Sequence, residues 1–314
     1  MKNNISLREK LLPITLVSLI LNLLLSVKFI VPNLKRQVSS SQNQTAKTVV
    51  KADIKDNLFD EINPVAGFQI NAKFGNLGPK MVKNGVIDLQ KFRDTYAKSG
   101  QSLTAEQEKI LTTGLDENIT INRDNSYFLL NFFWAVGLNN KSAVLDEGEI
   151  TKYGGRADLG NFASTGGWTL AKSDAMNYYS SSSLITLNKQ QQDLVNRVAG
   201  NVYRPCCNNS TAFPDCNHGM ALLGVLELMA SSGSSEDEMY KAAKYFNAYW
   251  FPGNYYDLAL YFKNNQGKNF ADIDPKIILS KDYSSASGWQ AAKKWLIDKG
   301  LQQEPPKQGG GCGV

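Results

Sequence analysis

The sequence predicts an all-α protein: one N-terminal transmembrane helix followed by a multi-helix globular domain, in one lobe or in two divided near residues 153–168. Three observations carry this. An apolar run sits alone at the N-terminus. At least eight later segments have helical apolar spacing or helix-start and helix-stop residues. Strand signals are confined to the short stretches NITI (118–121) and KIIL (276–279). Hydrophobic residues make up 42% of the 314-residue chain, enough for a substantial core, and charged residues 20%.

Taken in order, residues 11–31 read LLPITLVSLILNLLLSVKFIV. The uncharged part, Leu11–Val27, is 17 residues long. That is the lower limit for a helix crossing a ~30 Å hydrocarbon layer, and Lys28 extends it by snorkelling. No small-residue cleavage site follows Ser26, so the run reads as an uncleaved signal anchor over residues 1–36. Lys2, Arg8 and Lys10 precede it, which places the N-terminus in the cytoplasm and the main domain outside the cell membrane. The expected partners are the membrane, through residues 11–31, and other envelope proteins. Nucleic acid is not expected: the net charge is only +5, part of it beside the apolar run, and no basic stripe carries interleaved aromatics.

Residues 37–57 are polar with no apolar period and read as a tether, so the folded domain is expected over 58–303. Within it DLQKFRDTYAKSG (88–100) puts Leu89, Phe92 and Tyr96 on one face and ends in glycine. TAEQEKILTTG (104–114) opens with a capping-box pair, Thr104 and Gln107. NSYFLLNFFWAVGL (125–138) and HGMALLGVLELMASSG (218–233) are apolar almost all round, as buried central helices are. NKQQQDLVNRVAG (188–200), SSEDEMYKAAKYFNAYW (234–250), NYYDLALYFKNN (254–265) and SGWQAAKKWLIDKG (287–300) complete the set. Gly-rich connections occur at 74–80 and 153–168, and 304–314 forms a Gly-rich tail with Cys312.

The chemistry concentrates in YRPCCNNSTAFPDCNHGM (203–220). Three of the four cysteines and the only histidine fall between 206 and 218. Thiolate and imidazole are the usual ligands of zinc and copper. Cys206, Cys207, Cys216 and His218 are therefore the candidate metal ligands, for a zinc or copper ion. Asp215 or Asn217 reads as the cap of the following helix, which places Cys216 and His218 where the helix dipole favours a thiolate. Adjacent side chains diverge, so only one of Cys206 and Cys207 is expected to join Cys216 and His218. The other cysteine, Met220, Cys312 or water is left as a fourth ligand. The same cysteines also suit a thiol–disulfide centre. A plain disulfide from Cys206 or Cys207 to Cys216 would close a loop of about ten residues, for roughly 2–3 kcal/mol on chain-entropy grounds.

Pro205, Cys206, Cys207, Asp215, Cys216, His218 and Gly219, with the helix pair that follows, resemble the extracytoplasmic family named for its Pro-Cys-Tyr-Cys-Gly-Cys motif. The likeness covers about residues 190–245. Here the Tyr-Cys-Gly-Cys core is reduced to Cys-Cys, and the family's later Cys-x-x-Cys is missing. The resemblance implies a metal-associated envelope domain and no particular activity.

Other motifs are weaker. The aromatics Tyr245, Tyr249, Trp250, Tyr255 and Tyr256 suit a sugar-stacking surface or, more simply, a packed hairpin. Asp146, Glu147 and Glu149 lack calcium-loop spacing. Glu227, the one charge in a very apolar helix, either lines the Cys/His cluster or faces outwards. No G-x-S-x-G, P-loop or dinucleotide fingerprint is present.

Overall fold

A computed structural model describes residues 57–302, apart from 153, 154 and 156. The fold is mostly helical with one small sheet, and the all-α expectation is corrected accordingly. Residues 57–62 are helical. Strand β1 (Phe68–Gly75) leads into helices α1 (Leu77–Asn84), α2 (Leu89–Lys98) and α3 (Ala105–Thr112). Strand β2 (Leu115–Ile121) returns antiparallel to β1, pairing Phe68 with Ile121, Gln69 with Thr120, Lys73 with Asn118 and Gly75 with Leu115. The FQINAKFG sequence of β1 alternates, burying Ile70, Ala72 and Phe74. Its partner residues lie forty or more positions away, beyond the reach of a local pattern. NITI does lie in β2, whereas KIIL is mostly helix.

The long helix α4 (Ser126–Asn139) follows, then the short α5 (Ala143–Asp146) and α6 (Glu149–Lys152). After an irregular stretch come α7 (Lys189–Asn201), α8 (Asn217–Ser231), α9 (Glu236–Trp250) and α10 (Pro252–Gln266). Two single turns, α11 (Pro275–Ile278) and α12 (Lys281–Ser284), precede the last helix, α13 (Ala286–Asp298). Local chemistry fixes most of the helix starts. Asp88 accepts from the amides of Gln90 and Lys91. Thr104 with Gln107, Asn188 with Gln191 and Ser235 with Glu238 form complete capping boxes. Ser285 caps α13 through the amide of Gly288.

Helices α4 and α8 form the centre, and glycine lets their backbones touch. A Cβ placed on Gly137 would lie 2.0 Å from the carbonyl oxygen of Met220. One on Gly224 would lie 2.7 Å from the carbonyl oxygen of Phe133. No other residue fits either position without moving a helix. Around this crossing Phe128, Phe132, Phe133, Leu222, Leu226 and Phe246 are fully or nearly fully buried. Buried residues on both sides of the 153–168 connection belong to one continuous core. That connection is pinned by backbone and indole hydrogen bonds. The Trp168 indole donates to the Val86 carbonyl at 2.8 Å, and the Trp134 indole to the Ser164 carbonyl at 2.6 Å.

The membrane assignment requires correction. Among the described residues no helix is long and apolar enough to cross a membrane. The most apolar, α8, has 15 residues and spans about 22 Å against a ~30 Å hydrocarbon core. Residues 11–31, on which the single-pass, signal-anchor reading depended, lie outside the described residues, as do the tether up to residue 56 and the tail with Cys312. The cell-membrane localisation, the cytoplasmic N-terminus and the extracytoplasmic domain are therefore not carried further.

The aromatic stretch at 245–256 is largely core. Tyr255 is fully buried, with its hydroxyl 2.8 Å from Ser284 Oγ. Tyr249 donates to the Pro64 carbonyl at 2.6 Å, Trp250 to the Ser126 carbonyl at 3.0 Å, and Tyr245 stacks on Phe68 at 4.2 Å.

Replacing Gly137 with alanine should destabilise the protein by about 1–3 kcal/mol or more, the usual range for overpacking. Urea unfolding of the variant would read this as a lower midpoint. An exposed control, Gly253→Ala, where an added Cβ meets open space, should leave the midpoint nearly unchanged.

Candidate metal centre

The site is built by the loop between α7 and α8 together with the first turn of α8. The loop is held at both ends and in the middle. Thr211 donates its amide to the Val202 carbonyl at 2.8 Å, and Tyr203 and Ser210 form an isolated antiparallel bridge. The carbonyl of Cys207 accepts from the Ala286 amide at 2.8 Å, and Asn208 Oδ1 accepts from both the amide and the hydroxyl of Ser287. The Asn247 side chain donates to the Tyr203 carbonyl at 2.9 Å. The loop is thereby fastened to α9 and to the start of α13, which leaves its cysteines little freedom.

The cap of α8 is Cys216 itself, not Asp215 or Asn217. Its backbone is extended, and its Sγ accepts from the Gly219 amide at 3.4 Å. A sulfur in a position normally taken by a serine or aspartate oxygen sits at the positive end of the helix. The Sγ of Cys206 approaches it to 3.3 Å. The ring of His218 completes a triplet in which the Cys206, Cys216 and His218 donor atoms all lie within 4.8 Å of one another. Phe251, with ring centroid 4.3 Å from that of His218, and Trp250, at 6.0 Å, pack against the imidazole.

Cys207 lies on the Asp215 side of the cluster. Its Sγ lies 3.5 Å from Asp215 Oδ1 and 4.0 Å from Cys206 Sγ. It belongs to a second triplet, Cys207, Asp215 and Cys216, also within 4.8 Å. Of the expected fourth ligands, Met220 is fully buried against α4, its backbone carbonyl facing Gly137. Two residues along a helix from His218, it points to nearly the opposite face. Glu227 lies about 13 Å along α8 from His218 and does not line the cluster. It is fully buried and accepts from Asn140 Nδ2 at 2.9 Å.

The residue that sequence reasoning passed over is Arg204. Its side chain has no solvent exposure, yet it makes four hydrogen bonds. Nε donates to Cys216 Sγ at 3.0 Å, Nη1 to the Asn209 carbonyl at 3.1 Å, and Nη2 to the Phe213 carbonyl at 3.2 Å and to Asp215 Oδ1 at 2.5 Å. Asn209 Nδ2 in turn holds Asp215 Oδ2 at 2.8 Å. A buried guanidinium is tolerated only with pairing as extensive as this, four of its five N–H donors. Its signal was present in the sequence as Arg204 just before the Cys-Cys pair and Asp215 just before Cys216, but their meeting depends on the loop closing.

The electrostatics follow from this arrangement. Hydrogen bonds from Cys206 and Cys207, the Arg204 charge and His218 hold the Cys216 thiol well below its ordinary range, against the effect of burial. Cys206, as donor to Cys207 and Cys216 and partly desolvated, is held well above it. At Cys207 the hydrogen bond with Cys206 acts downwards, but its bond towards Cys216 and burial push it up to about 12. Burial weakens the protonation of Arg204, and the charges of Cys216, Cys207, Cys206 and Asp215 more than restore it. Of the three thiols, Cys216 is the one the arrangement favours in the ionised form, and Cys206 and Cys207 are the ones it disfavours.

The donor set suits a borderline or soft ion. Thiolates and an imidazole at ~2.3 and ~2.0 Å from a tetrahedral zinc ion lie roughly 3.5–3.8 Å apart. The 3.3 Å sulfur pair and the 4.8 Å limit of the triplet bracket that spacing. Cys206, Cys216 and His218, or Cys207, Asp215 and Cys216, are close enough to hold a metal ion. No protein-family model, curated protein or solved structure matches the chain, so the site is read from its own geometry.

Burial raises the Glu227 carboxyl from 4.5 to about 8, opposed by the nearby Ser142 side chain and by the Asn140 hydrogen bond. Between those two values the unfolded chain ionises and the folded one does not, so this group lowers stability as pH rises. Glu227→Gln should remove that slope. Relative to wild type, the variant should gain on the order of 3 kcal/mol between pH 4.5 and 7, measured by urea unfolding at each pH.

Proposed function

We propose that the protein binds a single zinc or copper ion through Cys206, Cys216 and His218. The observation that carries this reading is the convergence of two sulfurs and the chain's only imidazole, from a loop and a helix N-terminus, within 4.8 Å. A disulfide accounts for two of these groups and leaves the histidine without a role. The donors are soft or borderline, which favours zinc or copper(I) over magnesium or calcium.

Three protein donors leave one tetrahedral position open, the arrangement of sites that keep an exchangeable ligand. Cys206 is exposed while Cys216 is partly covered. Cys206 is thus the donor an incoming ion meets first. This favours uptake and release over a sealed structural site. Cys216 would supply the anchoring thiolate and His218 the third donor, its ring oriented by Phe251 and Trp250.

A second reading rests on the 3.3 Å separation of the Cys206 and Cys216 sulfurs. With a small movement the two could join as a disulfide, and the pair could act in thiol–disulfide exchange. It is less favoured because the attacking sulfur of such centres is normally both activated and accessible. Here the sulfur beside Arg204 is the covered one.

Full-length protein purified anaerobically with reductant should carry, or take up, about one zinc or copper ion per chain by elemental analysis. Cys206→Ser, Cys216→Ser and His218→Ala should each weaken the affinity at least tenfold, about 1.4 kcal/mol. Metal-free protein that takes up neither ion, and whose mass and thiol count report a Cys206–Cys216 disulfide, would replace the metal reading with the second one.

A further inference from the structure

The two donor triplets share Cys216. A thiolate has lone pairs enough to bridge two ions, so the donor count alone would allow a two-metal site. The second triplet is already taken by a cation. The Arg204 fork reaches from Cys216 Sγ, through Nε at 3.0 Å, to Asp215 Oδ1, through Nη2 at 2.5 Å. These are two of the three atoms that a second ion would need.

The fit of the guanidinium is specific. Its remaining contacts, the carbonyls of Asn209 and Phe213, fix it in plane, and it has no exposure to solvent. Gly219, in the first turn of α8, provides the room. A Cβ there would lie 2.5 Å from Cζ and from Nη2 of Arg204. The helix surface is recessed where the cation lies.

Building on the metal reading of the site, we infer that Arg204 is the resident cation of the Cys207–Asp215–Cys216 triplet, limiting the site to one ion and directing that ion to Cys206, Cys216 and His218. Cys207 is then no ligand in the native protein. Its Sγ packs against the Asp215 oxygen that the guanidinium neutralises. Arg204 acts as a specificity-determining residue: a fixed positive charge beside Cys216 repels a second ion and leaves the opposite side of the sulfur open.

Cobalt(II) is a suitable probe, because thiolate-to-cobalt charge-transfer absorption scales with the number of sulfurs bound. Full-length, reduced protein would be titrated with excess cobalt and its stoichiometry read by native mass spectrometry. Wild type should bind one ion. Cys207→Ser should also bind one, with an unchanged charge-transfer band, whereas Cys206→Ser should lose about half of that band. Arg204→Gln should bind two ions, and adding Cys207→Ser to it should restore one. Two ions in wild type, or a weaker band in Cys207→Ser, would overturn the inference while leaving a metal site standing. So would a folded Arg204→Gln that binds only one. Should that variant fail to fold, the wild-type count and the Cys207→Ser band decide the matter alone. Wild type that binds no cobalt would overturn this inference together with the metal reading.

Discussion

The contact on which the rest of the structure depends is the crossing of α4 and α8 at Gly137 and Gly224. Two helices that are apolar on nearly every face have no solvent side and must be enclosed. Bringing their backbones into contact gives the largest shared interface for the least volume, and only glycine permits it at those two positions. The remaining helices then cover what these two leave open. The β1–β2 ribbon, α9 and the 157–188 connection each bury apolar residues in the one core that surrounds the pair.

This crossing also fixes where the candidate centre lies. Met220, whose carbonyl faces Gly137, is four residues from Cys216, so the helix start that carries the sulfur cap is set one turn from the tightest point of the core. The loop opposite has to meet that rigid end, and it is held by bonds to α9 and α13 together with its own Tyr203–Ser210 bridge. A loop held on a scaffold in this way is a common place for binding residues.

Arg204 joins the two halves electrostatically. A buried guanidinium without partners would be prohibitive, and removing one member of such a pair typically costs about 3–5 kcal/mol. Asp215, two loop carbonyls and the Cys216 sulfur all point at it, so the charge that holds the loop also adds to the effect of the Cys206 and Cys207 hydrogen bonds on Cys216. The feature that stabilises the loop is thus also the one that shapes its chemistry. Glu227, at the other end of α8, is the contrasting case: a buried carboxyl with one clear donor, best accommodated as the neutral acid.

Residue pattern alone was enough to determine the helices whose ends carry their own chemistry. Thr104 with Gln107 acts within one turn of chain and is read without knowing the fold; Asp88 and the Ser235–Glu238 pair act over the same short range. The same holds for the gathering of Cys206, Cys207, Cys216 and His218 into one short window. Tertiary structure decided whatever depended on distant partners. The β1–β2 pair joins residues forty or more apart, and KIIL lies mostly in a helical turn that Asp274 caps. It also decided that Cys206 shares a triplet with Cys216 and His218, while Cys207 shares one with Asp215 and Cys216. Side-chain direction in a loop is set by where the loop is tied, here to Ser287, Ala286 and Asn247. The burial of Arg204 between Asp215 and Cys216 depends on the same closure, because a charge becomes an internal partner only once the chain has folded around it.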